Sequence, residues 1–424
     1  MKNLSLSIVI IVILSSCSSN DWPQYLGAER NATMLNAELS NSWPDDGPSI
    51  LWADTVGKGY GGASIHNGEV FILDRVVGER DVLRCLDLDT GKELWQYSYE
   101  SKGELSYPGS RSVPAVDDDY VWTVGPYGQM HCISRNTHKP VWSKNLLEEY
   151  EADSMHFGIS QSPMLYKSTI IVAPQGKKAG VVAFDKESGR EVWATRELTG
   201  AQCYSSPTTG TIEGIDQVIM LSSYHRKDST LTNEIVAFNA ETGNELWTYD
   251  RLYSFGIITP AVVLENNQVL ITDCSYNGKY KPVTLLFEVT KEGDKYTVSE
   301  LFLTEEAGCK MHPPVVYNGY IYLNDNGKPN SMKCLSMKGE LMWTSDSISF
   351  GLGGMILIGD LIINQNGKNG DIHLIEPSPE GYKELGKASF FSSEKSQAWA
   401  PLAYSRDKLI IRDNELIICV DVGN

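Results

Sequence analysis

The chain has 424 residues, with 36 basic and 54 acidic side chains and a formal charge of −18. Aromatics make up 10% of it, alongside 37 glycines and 18 prolines, enough apolar material for a core and too little low-complexity sequence for a disordered or fibrous chain. A field this negative repels phosphate backbones and argues against a nucleic-acid partner.

The first residues read as a targeting segment. Met1-Lys2-Asn3 is a short cationic start, and Leu4 to Leu14 is apolar. Such a run is too short to cross a bilayer but suits a signal sequence. Leu14-Ser15-Ser16-Cys17 follows and resembles a bacterial lipoprotein cleavage site. That resemblance implies cleavage before Cys17 and lipidation at Cys17, with membrane lipid as the first partner. Residues 1–16 are then the signal peptide, 17–49 a tether and leader, and 50–424 the folded body.

The body is a repeat. Cys85-Leu-Asp-Leu-Asp-Thr-Gly-Lys-Glu-Leu-Trp95 returns as Cys132 to Trp142, Ala183 to Trp193, Ala237 to Trp247 and, shortened, Cys334 to Trp343. Two copies have lost the tryptophan, Leu286 to Leu301 and Leu374 to Leu385. A spacing near 50 residues is the signature of propellers and arrays. Pro114, Pro163, Pro207, Pro260, Pro314 and Pro401 each open a first strand, with Ala63 and Gly354 in the two remaining places. A second apolar strand follows each time, so every unit has four short strands, A to D. The chain stops after a strand C, Glu415 to Asp421, whereas Ile50-Leu-Trp52-Ala is a strand D with no unit before it. Pairing these two closes a ring and removes the exposed sheet edges. The expectation is an all-β, eight-bladed β-propeller of four-stranded antiparallel blades.

The repeated residues have structural jobs. The Thr-Gly turn joins C to D, with glycine supplying a positive φ. The tryptophan face packs between neighbouring blades. Cys85, Cys132, Cys334 and Cys419 share one strand-C position in separate blades, which reads as small buried packing and not as disulfides.

These copies resemble the PQQ-like β-propeller family from about residue 50 onward. The leader Asp21-Trp-Pro-Gln-Tyr-Leu-Gly-Ala-Glu-Arg30 is similar to the opening of many bacterial PQQ-like repeat proteins. The family includes quinoprotein alcohol dehydrogenases and the lipoprotein BamB, a scaffold of outer-membrane protein assembly. The dehydrogenase resemblance implies PQQ with Ca²⁺, a pair of adjacent cysteines and sometimes a haem segment. This sequence has no Cys-Cys pair and no Cys-x-x-Cys-His, so no cofactor is expected and PQQ with Ca²⁺ is disfavoured. Shared fold alone does not transfer function.

Any site on such a ring gathers residues from several blades at one channel mouth. The D–A and B–C loops share that face. Candidate ligand-binding residues just before the strand-A starts are Tyr60, Arg111, His156, Gln161, Tyr204, Lys310, His312 and Trp399. The B–C loops add Arg75, Arg80, His225, Arg226 and Lys227, and four Gly-Lys pairs at Lys177, Lys279, Lys328 and Lys368. This composition predicts a basic, aromatic rim for an anionic or saccharide ligand or an envelope protein. No catalytic or metal-ligand motif appears. The reading that follows is a lipid-anchored scaffold or binding protein on the periplasmic side of the cell envelope. Alternatives are a PQQ-dependent redox enzyme and a carbohydrate-binding or lyase propeller.

Overall fold

The computed structural model describes residues 21–199, 203–225, 231–250, 258–274, 281–327, 330–345, 348–391 and 396–423. Cys17, Arg226, Lys227, Lys279 and Lys328 lie outside them.

Eight sheets surround a channel, each antiparallel from strand A inside to strand D outside. Blade 1 is Ser64–His66, Glu69–Val76, Gly78–Asp87 and Glu93–Gly103; blades 2 to 7 repeat this order along the chain. Blade 8 holds Ala403–Ser405, Lys408–Arg412 and Leu416–Asp421, and its fourth strand is Ile50–Thr55. Ile50–Thr55 pairs antiparallel with Leu416–Asp421, so the ring is closed by the N-terminal strand as the repeat predicts.

The tryptophans hold one blade to the next through a repeated contact. Each C–D pair carries a register shift beside one strand-C position, between Cys85 and Leu86 in blade 1 and at the same place in the other seven; the residue there is Cys or Ala in six blades and Leu286 or Leu374 in two. The bulge aims the tryptophan ring outward along the sheet. The ring then covers the turn glycine of the following blade. A Cβ on Gly91, Gly189 or Gly243 would stand 2.5 to 2.7 Å from Trp52, Trp142 or Trp193 respectively. The indole Nε1 donates to a carbonyl of that same turn, Trp52 to Leu88 at 2.8 Å, Trp142 to Lys186 at 3.0 Å and Trp193 to Ala240 at 3.1 Å. Glycine is needed twice over, for its positive φ of 68 to 71° and for the missing side chain. Where blade 2 has His138 in place of glycine, Trp95 stacks on the imidazole at 4.7 Å and 11°.

The two copies without tryptophan fill its place by other means, and register corrects the alignment to Leu301 and Leu385. Register places Phe302, not Leu301, opposite Leu286, and its ring covers Gly339. In blade 7 register places Gly386 opposite Leu374. The vacancy is filled from outside the repeat: the ring of Trp43 lies against Gly386.

Trp43 belongs to the leader, which is built into the ring and not merely a tether. Trp22 bridges Ile65 of blade 1 antiparallel, and Val116 of blade 2 donates to the Pro23 carbonyl. Leu165 of blade 3 donates to the Gln24 side chain. Thr33–Met34 then lies parallel to Met355–Ile358, the innermost strand of blade 7. The leader thus crosses the channel against four inner strands and leaves between blades 7 and 8 to become the closing strand. Its only sequence mark was a Trp-Pro-Gln motif, because two-residue strands carry no periodicity.

A differential substitution tests the docking contact. Gly189→Ala meets both the backbone penalty and the Trp142 ring, whereas Gly214→Ala has the same positive φ and nothing within 4 Å. The expected losses in urea unfolding are about 3 kcal/mol for the first and about 1 kcal/mol for the second. Equal losses would mean that the ring-to-glycine contact does not join the blades.

Candidate functional site

The leader closes the channel from within and leaves a pocket at the D–A face. The pocket encloses about 110 Å³, a small hollow beside the roughly 300–1,000 Å³ of ordinary small-ligand sites. Tyr25 of the leader forms its floor. The wall comes from the loops before successive strands A.

The loops are placed by buried polar clamps. Arg412, at the end of strand B in blade 8, donates to the Gly57 and Gly61 carbonyls at 2.9 and 3.1 Å. Tyr60 N–H donates to the Ser110 carbonyl at 2.7 Å, which ties the first loop to the second. The tying continues deeper in the channel, where Val113 N–H donates to Ser162 Oγ and Ser162 N–H to Ser206 Oγ, both at 2.9 Å.

Aromatic rings dominate the wall. Tyr60 stacks on Trp399 with centroids 5.3 Å apart and planes 23° off parallel. Tyr107 meets both rings, at 6.4 and 5.6 Å, and touches Phe157 at 6.0 Å. Phe157 in turn meets Tyr204 at 5.6 Å. The chain of rings therefore runs through five loops. Burial raises the Tyr60 hydroxyl above its ordinary pKa, so it stays a neutral group, donating to Gln397 Oε1 at 3.0 Å.

Two nitrogen side chains complete the lining. The Arg111 guanidinium lies over the Tyr60 ring at 5.5 Å and donates to the Gly109 and Tyr107 carbonyls. His312 is 8% exposed, and its Nε2 lies 2.9 Å from the Trp399 carbonyl. A carbonyl can only accept, so Nε2 carries the proton and Nδ1 is a bare acceptor, without a partner among the described residues. Burial pushes this imidazole down to about 4, so it is neutral at pH 7.

Of the eight candidate residues, Tyr60, Arg111, Tyr204, His312 and Trp399 line the pocket. Gln161, His156 and Lys310 do not. Gln161 is buried and turned away, donating to the Cys203 carbonyl at 3.2 Å. His156 packs against Phe157 on the exposed side, 3.3 Å from Ser106. Lys310 sits near buried Asp273, whose carboxyl burial pushes up to about 7.

The basic rim is also smaller than expected. Arg75 is buried inside blade 1, paired with Asp81 at 2.8 Å and bonded to Ser101. Arg80 pairs with Glu79 on the surface, and Lys177 and Lys368 are solvated. The strand register includes His225, whose side chain lies outside the described residues. Tyr25, Tyr107 and Phe157 were missed because they stand well upstream of the proline marker or in the leader. Among the described residues no group of three or more His, Cys, Asp or Glu is placed to hold a metal ion.

Fold and mouth together define a PQQ-like eight-bladed propeller. The family described as outer membrane protein assembly factor BamB matches residues 79–345, and the chain belongs to it. A curated relative, lupanine 17-hydroxylase [cytochrome c] from a Pseudomonas species, is 28% identical over 149 residues, which is 31% of this chain and 21% of that protein. The match thus spans about a fifth of that relative's length. Among solved structures, BamB from Moraxella catarrhalis superposes with a TM-score of 0.59 at 14% identity, over 88% of this chain and 96% of that one. Quinohemoprotein alcohol dehydrogenase from Comamonas testosteroni gives 0.64 at 13% identity, over 96% and 81%. A europium-containing methanol dehydrogenase gives 0.63 at 13%, over 92% and 89%. At these identities the likeness is one of fold.

The buried imidazole predicts an acid sensitivity. A neutral His312 with a folded pKa near 4 stabilises the protein above the unfolded value of 6.5, and that stabilisation is lost as pH falls towards 4. Between pH 7 and 4 the wild type should lose roughly 3 kcal/mol more than His312→Gln. Parallel pH profiles of urea unfolding for the two proteins would show instead that the imidazole is solvated and charged.

Proposed function

We propose that the protein is a lipid-anchored binding propeller of the bacterial cell envelope, a scaffold that docks a partner at its aromatic channel mouth and performs no chemistry of its own. The observation that carries this reading is the blind pocket, sealed below by Tyr25 and walled by stacked rings. Membership of the BamB-described family supports an envelope setting and protein partners. Cys17 in its Leu-Ser-Ser-Cys context supports the anchor.

The quinoprotein neighbours raise a redox reading, and the lining does not fit it. PQQ is a flat quinone bearing three carboxylates. Among the described residues Arg111 is the only cation in the wall, and its guanidinium is already bonded to two carbonyls. Tyr60 already stacks on Trp399, so that pair leaves no gap between its rings for a flat cofactor. A saccharide reading has one observation in its favour. Ring faces flanked by Ser160, Ser162 and Ser206 hydroxyls suit the apolar face and hydroxyl edge of a sugar.

Two experiments test the proposal. Cys17→Ala should move the protein from the membrane to the soluble fraction, and retention in the membrane would remove the lipid anchor. The mature chain titrated with PQQ and calcium, with an artificial electron acceptor present, should show neither saturable quenching of Trp399 fluorescence nor dye reduction. Saturable micromolar binding with turnover would overturn the scaffold reading.

A further inference from the structure

Beneath the pocket floor the leader carries a cation into the interior. Arg30 is 1% exposed, among the largest fully buried side chains of the protein. Its Nη1 makes two long hydrogen bonds, 3.3 Å to Gln24 Oε1 and 3.2 Å to the Pro163 carbonyl. Its Nε and Nη2 are buried and meet no hydrogen-bond partner. Among the described residues no carboxylate pairs with it. The other fully buried arginines among the described residues have charges to meet them: Arg75 pairs with Asp81, and Arg412 bonds two carbonyls with the Asp74 and Asp413 charges nearby, although its Nε also lacks a partner.

Besides the two oxygens on Nη1, the Tyr25 ring offsets the Arg30 charge, 5.6 Å from the guanidinium carbon. Burial pushes Arg30 down to about 10, which still leaves it charged at neutral pH. An isolated guanidinium in a dry interior costs several kcal/mol unless something neutralises it. Two parallel donors on one edge of a guanidinium form a fork that accepts a single small anion. The innermost strands and the segments leading into them supply further buried hydroxyls without partners, at Ser64, Ser112 and Thr208. These hydroxyls add neutral donors to the inner strands.

We infer that the channel beneath Tyr25 is an anion site, in which a small inorganic monoanion of the halide class is held by Nε and Nη2 of Arg30. Tyr25 and the backbone of the leader cover the site, which excludes larger carboxylates and phosphates. The ion neutralises the guanidinium and so fixes the leader against the start of strand A in blade 3. It acts as the pin of the seal that makes the mouth a blind pocket. This inference stands apart from the ligand of the mouth and holds whether that ligand is a protein or a sugar.

The probe is bromide. Crystals of the mature chain grown in sodium bromide should give an anomalous peak about 3.3 Å from Arg30 Nε and Nη2. In solution, replacing gluconate by chloride at constant ionic strength should raise the melting temperature by about 5 °C, as expected for a ligand bound only by the folded state. Arg30→Gln should lose that halide dependence while remaining folded, since the Gln amide can keep one donor on the Pro163 carbonyl. Water without anomalous signal at the fork would overturn the inference. So would a melting temperature indifferent to chloride in the wild type, or one equally raised in Arg30→Gln. If Arg30→Gln does not fold, the wild-type anomalous map alone decides.

Discussion

The fold depends on an indole ring lying flat on the glycine of the next blade. A four-stranded blade packs one face against each of its two neighbours, Val121 towards blade 1 and Trp122 towards blade 3, so each interface needs a contact that fixes both distance and angle. The tryptophan supplies area, the glycine supplies room, and the Nε1–carbonyl bond sets direction. Repeating this contact around a circle leaves the strand D of Ile50–Thr55 in blade 8 as the last piece. Closure then removes two open edges, which ties ring stability to a segment far from the C-terminus in sequence. Two substitutes keep the contact in other forms, an imidazole under Trp95 and a phenyl ring at Phe302, while in blade 7 the place of the lost ring at Gly386 is filled by Trp43 of the leader.

The leader links this architecture to function. An eight-bladed ring leaves a channel through its centre, and an open channel has two mouths and unpaired inner edges. Residues 22–34 pair with inner strands of blades 1, 2 and 7 and reach blade 3 through Gln24 and Arg30. One mouth thereby becomes a floor, and Tyr25 becomes part of a pocket whose other walls come from the loops. Binding at the mouth and stability of the seal share the same residues. An occupant stacking on Tyr25 would press on the element that Arg30 holds in place.

Much of this was legible in the sequence. The Trp spacing, the Pro-opened strands and the orphan strand D at Trp52 specified eight blades and their closure. The site was legible only in part, for a geometric reason. The segments before strand A are extended, so neighbouring side chains point to opposite sides. Gln161 stands between Ser160 and Ser162, and Lys310 beside Met311; in both cases the neighbours face the pocket and the candidate does not. Cation counting failed at Arg75 because a buried Asp81 waits for it across the blade. Trp43 was invisible because its partner, Gly386, looks like a lost tryptophan until register shows what covers it.

The most direct measurement is hydrogen–deuterium exchange of the mature chain, read at the amides that bind the leader to the inner strands. The account predicts that Trp22, Ile65, Val116, Leu357 and Gly359 exchange as slowly as the central strands of their blades, since each N–H is bonded within the seal. Exchange at the rate of an open loop at Trp22, Leu357 and Gly359, with the blade centres still protected, would contradict it. The leader would then lie outside the channel, and the mouth would have no floor.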